Sequence, residues 1–130
     1  MLAGKRITSA VEVITTTAGI TYSCIKLHFD DNTSCSLGAY AYCCGEAWFE
    51  FRSGNPIEEI KSNVITTIVV TDVAADSLPP SGRQEADEVK TVQINFEGAE
   101  TSPYNFYLRG SSNGYYSCWL EISACIPEKL

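Results

Sequence analysis

The residues best suited to chemistry lie in one stretch: two adjacent cysteines, Cys43 and Cys44, followed by Glu46, Trp48 and Glu50, with Cys35 and the single histidine, His28, upstream. Thiols and an imidazole are zinc ligands, and a thiol beside an imidazole is a nucleophile with its base. The spacing argues against both. Structural zinc sites gather thiolates from Cys-x-x-Cys knuckles, whereas side chains on a strand alternate, so Cys43 and Cys44 are expected to point to opposite faces. His28 falls on a predicted face with Lys26, as a surface histidine does. Glu46 and Glu50 are the residue type used in glycoside hydrolysis, and their spacing of four keeps them on one face of a strand, but an ordinary solvated face has the same pattern. No Gly-x-Ser-x-Gly and no phosphate-binding glycine loop occurs. The expectation is a protein with no catalytic residue, no metal and no cofactor.

What remains is binding. Tyr40, Tyr42, Trp48, Tyr115, Tyr116 and Trp119 offer flat faces for stacking. Arg109 and the amide-rich run Ser111 to Gly114 supply donors for an anion or a polar edge. The candidate ligand site is therefore Trp48, Glu46, Arg109, Asn113, Tyr115 and Tyr116. The plainer reading is that these rings form the core of a small β domain. Two further classes stay open: a cysteine-dependent enzyme built on Cys44, His28 and Glu46, and a structural or interaction protein with no pocket.

The elements that must position these residues read as strands. Arg6 to Thr17 is rich in β-branched residues, and Ala18-Gly19 then marks a turn. From Ile20 to Phe29, Ile25, Leu27 and Phe29 share one face. Asp30-Asp31-Asn32 turns the chain into Thr33 to Cys43, a hairpin partner with Cys35, Leu37, Ala39, Ala41 and Cys43 on one side. Gly45 permits a bend, after which Ala47, Phe49 and Phe51 oppose Glu46, Trp48 and Glu50. Asn55 suits an N-cap and Pro56 a first helical position, which predicts one short helix with Ile57 and Ile60 on its apolar face. Val64 to Val73 predicts a strand in the centre of a sheet. Val89 to Glu97 and Tyr104 to Arg109 alternate, and the Gly110 to Gly114 run predicts a hairpin turn into a last strand, Tyr115 to Ile126. The fold class is mainly β or α+β, an antiparallel sheet of about seven or eight strands with one short helix.

Composition bounds the rest. A chain of 130 residues, 45% hydrophobic and 19% charged, is expected to fold as a single domain over residues 1–130, with an exposed acidic loop at 74–88. A net charge of -7 with only nine Lys and Arg argues against nucleic acid as a partner. The apolar runs are too short for a membrane helix and the N-terminus lacks a signal-peptide pattern, so a cytoplasmic location is expected and the six cysteines read as free buried thiols. The expected partner is a small molecule or another protein, a host protein if the chain is of viral origin as the resemblance below implies, with self-association into a homo-oligomer left open.

The pairing of Cys43, Cys44, Trp48 and Glu50 with the later Ser112, Asn113, Gly114, Tyr115 and Tyr116 resembles an uncharacterised domain family of phages, large DNA viruses and bacteria. The Ile7-Thr8-Ser9 strand and a short helix after the cysteine pair are similar too. The resemblance implies a viral or mobile-element accessory protein, counteraction of host defence being one such role. The additional Cys24, Cys35, Cys118 and Cys125 and the acidic loop depart from the family's pattern.

Overall fold

The computed structural model describes residues 2–17, 20–41, 46–51, 56–73, 88–98, 100–111, 118–123 and 125–127. Nine strands run through them: β1 (Ile7–Thr17), β2 (Ile20–Phe29), β3 (Thr33–Ala41), β4 (Glu46–Glu50), β5 (Ile65–Val73), β6 (Glu88–Phe96), β7 (Tyr104–Ser111), β8 (Cys118–Ile122) and the two-residue β9 (Ile126–Pro127). They form two antiparallel sheets. The first has the order β1-β2-β3-β8, with β9 also on β3, and the second has the order β4-β7-β6-β5. The mainly-β, antiparallel reading is thus correct, and the strands divide between two sheets.

Alternation explains why the two sheets share one core. Ile25, Leu27 and Phe29 of β2 and Cys35, Leu37 and Ala39 of β3 face inward, and Val92 and Ile94 of β6 with Tyr104, Phe106 and Leu108 of β7 meet them from the other side. Phe106 sits at the centre, 5.4 Å edge-on to Phe49 and 5.3 Å from Phe51 between ring centroids. One end is stitched together by backbone. Gly4 N–H donates to Ile65 O, Ile65 N–H to Lys5 O, and Arg6 bridges Val64, so the segment before β1 is held to the start of β5.

Three expectations are corrected. The strand at 65–73 is an edge strand, with Val69 and Val70 exposed, because β-branched residues suit any pleated surface and Thr66, Thr67, Thr71 and Asp72 are what an open edge tolerates. The short helix is only a 3-10 turn at Ile57–Ile60, and Pro56 is its extended N-cap (φ -70°, ψ 155°) rather than its first helical residue. Its buried Ile57 and Ile60 do form the expected apolar face, while Asn55 lies outside the described residues. The Gly110 to Gly114 run does not join a hairpin: β7 pairs with β4 and β6, whereas β8 pairs with β3 in the other sheet. Turn chemistry sets how a chain can reverse, not which strand it meets next. Glu88 belongs to β6, and the acidic loop expected at 74–88 otherwise lies outside the described residues.

Candidate functional site

Four strand ends lie together at one pole of the sandwich. In the first sheet Ala41, the end of β3, pairs with Cys118, the start of β8. In the second, Glu46 at the start of β4 pairs with Ser111 at the end of β7. The connections 42–45 and 112–117, which carry the cysteine pair and the Ser-Asn-Gly-Tyr-Tyr motif, therefore leave one pair of neighbouring residues and arrive at another. Cys43, Cys44, Asn113, Tyr115 and Tyr116 themselves lie outside the described residues.

On the outer face of the second sheet the register sets Trp48 opposite Arg109, and Arg109 opposite Val89. These three are buried although their faces point away from the shared core: Trp48 is 3% exposed and Arg109 2%. The strand β4 thus has Ala47, Trp48 and Phe49 buried in succession, so it is covered on both sides. Arg109 is held by Glu50. Its Nη2 donates to Glu50 Oε1 at 2.9 Å, and its Nε lies 2.9 Å from Oε2, an ion pair held by one hydrogen bond of good geometry. The Tyr107 ring sits 5.8 Å from the guanidinium carbon, a cation–π distance. Glu50 and Tyr107 were not in the expected set; the signal for Glu50 was available as a carboxylate two residues from the position facing Arg109 across β4 and β7. Glu46 pairs by its backbone with Ser111, four residues before Glu50 along β4.

The outer face of the first sheet carries a second aromatic pair at the same pole. Tyr40 and Trp119 are cross-strand partners whose rings stack at 6.2 Å between centroids with 24° between planes. Tyr40 leans back over Gly38, where an added Cβ would run into the ring. Unlike Trp48, this pair is reachable, since Tyr40 is 37% exposed and Trp119 half-buried.

The zinc and nucleophile arrangements can be examined at His28 and Cys35. Leu27 pairs with Cys35 and His28 with Ser34, so Cys35 enters the core while His28 faces the other side of the sheet. Desolvation by burial, together with the neighbouring Cys125, pushes the Cys35 thiol up to about 12, far from thiolate chemistry at neutral pH. Among the described residues there is no cluster of three or more His, Cys, Asp or Glu side chains placed to hold a metal ion. A cavity of about 360 Å³ opens elsewhere, between β5 and the β8–β9 segment, and none of the expected ligand residues lines it.

A two-sheet antiparallel β protein is the class this fold defines. Comparison with known proteins places it more narrowly. The chain is 36% identical over 103 residues to "Uncharacterized protein L278" of Acanthamoeba polyphaga mimivirus, covering 78% of this chain and 78% of that protein, and it belongs to that viral family. No family model matches the chain. No solved structure matches it. Among the described residues no helix is long and apolar enough to cross a membrane.

Proposed function

We propose that this chain is a binding protein of the accessory kind, which captures a small, planar, nucleotide-like ligand at the pole that holds the described ends of the connections 42–45 and 112–117. The observation that carries this reading is the placement of the flanking residues: the pairs Ala41–Cys118 and Glu46–Ser111 hold the described ends of both motif-bearing connections side by side. Trp48, Glu46, Arg109, Asn113, Tyr115 and Tyr116 would line the site, and because Trp48 and Arg109 are buried a ligand reaches them only by displacing what covers them. Arg109 already has Glu50 as a counter-charge, so an anionic ligand competes with that carboxylate, and a ligand edge bearing donors for Glu50 gains from it. If the ligand is a nucleotide signal, the protein acts by sequestration in its host's cytoplasm and thereby counters a host defence.

Thermal-shift measurements across a panel of mono-, di- and cyclic nucleotides test the proposal. At least one is expected to raise the unfolding midpoint, with the rise abolished in Asn113→Ala and in Tyr116→Ala. No shift with any member of the panel would end the small-ligand reading. A host protein as partner is the second reading, and a specific observation supports it: Val11 and Val13 are exposed on the same outer face as Tyr40, through the register Val13–Cys24–Gly38 and Val11–Lys26–Ser36.

A further inference from the structure

Cys35 and Cys125 stand opposite each other at the C-terminal end of the described chain. Strand β9 pairs with β3 through Thr33–Pro127 and Ser34–Ile126, and the next step of that register sets Cys35 against Cys125. Both turn to the core side: Cys35 is buried, and Cys125 is half-buried and packed against the core cluster. The two thiols are near enough to influence each other's ionisation, and neither is in a disulfide. Two cysteines placed directly across antiparallel strands with their side chains on one face meet the spatial requirement for a bridge, which two unrelated cysteines rarely do.

Access comes from the other side. Cys125 forms part of the wall of the 360 Å³ cavity, together with Leu2, Ile65, Ile68 and Ile122. A small disulfide entering there meets Cys125 first, while Cys35 lies behind it at 3% exposure. The ammonium of Lys5 is close enough to feel both sulfurs and offers a positive charge to a thiolate that forms between them.

We propose that Cys35 and Cys125 form a reversible redox latch, closed by thiol–disulfide exchange with a low-molecular-weight disulfide, that fastens the 125–127 segment to β3. The Cys125 thiolate, its proton released to solvent, attacks one sulfur of the small disulfide and expels one thiolate, which takes up a proton. Cys35 then loses its proton and attacks the Cys125 sulfur of the mixed disulfide, expelling the second small thiol. Two protein thiols are oxidised to one bond, and one small disulfide is reduced to two thiols. The second step is the slow one, because a buried Cys35 gives up its proton reluctantly.

The test uses the full chain equilibrated to completion with oxidised glutathione, then alkylated under denaturing conditions and mapped by peptide mass spectrometry. A Cys35–Cys125 crosslinked peptide in most chains is expected, together with an unfolding midpoint that rises on oxidation, falls back with dithiothreitol, and does not respond in Cys125→Ser. Cys125 and Cys35 both recovered as alkylated thiols would overturn the latch, as would a Cys125–glutathione adduct that never advances to the internal bond. The mapping is made on the unsubstituted chain, so the outcome does not depend on a variant's folding.

Discussion

At the scale of single residues, the clearest electrostatic arrangement is on the surface. The Asp31 carboxylate is held down to about 2 by the Lys5 ammonium, by the Thr33 hydroxyl and by the Thr33 backbone N–H, which donates to Asp31 Oδ1 at 3.1 Å. Lys5 Nζ also donates to Thr33 Oγ1 at 2.9 Å. A carboxyl whose folded value lies below its ordinary 3.8 stabilises the folded state above that pH, and this stabilisation is lost as pH falls through the folded value. Between about pH 4 and pH 2 the stability advantage of the natural chain over Asp31→Asn is therefore expected to shrink to nothing, as read by denaturant midpoints at successive pH values. An advantage unchanged across that window would mean that Asp31 contributes nothing through its charge. The Arg109–Glu50 pair is a different case: Arg109 is buried and Glu50 one-third exposed, so the pair serves position more than net stability.

At the scale of elements, what alternation can specify was legible in advance. Ile25, Leu27 and Phe29, the β3 face of Cys35, Leu37 and Ala39, and the β7 face of Tyr104, Phe106 and Leu108 all turn inward as their period-2 spacing dictates. Partner choice was not legible, because hydrogen bonds between strands are made by backbone groups that every residue has. Hence β8 went to β3, and β5 to an edge, without any residue type announcing it. That Trp48 and Arg109 are buried on a face turned away from the shared core was not legible for a related reason: strand spacing says which side a residue is on, not whether that side is covered. Gly38 shows the converse, a residue whose meaning appears only with its neighbour. Gly38→Ala is expected to displace the Tyr40 ring and separate it from Trp119, at a stability cost of about 1 kcal/mol or less, since the ring can swing away. Near-UV circular dichroism reads this directly. An unchanged aromatic spectrum would show that the stack does not depend on Tyr40 lying over Gly38.

At the scale of the whole molecule, two seams join the sheets at different places: the motif-bearing pole, and the segment before β1 that runs along β5. Removing residues 2–6 takes away the Gly4–Ile65 and Lys5–Ile65 backbone bonds and the Asp30 N–H to Arg6 O bond. At about 1 kcal/mol for each such bond, a loss of about 3 kcal/mol is expected in urea denaturation. A loss near zero would show that the core alone holds the sheets in place. The pairing of Ala41 with Cys118 has a consequence of its own. Strands β8 and β9 follow all the others in the chain, so during synthesis β3 has an open edge on one side until they leave the ribosome. A nascent chain that has already made both motif-bearing connections still exposes that edge. For that interval it is open to capture by a neighbouring strand of another chain, which β8 later prevents.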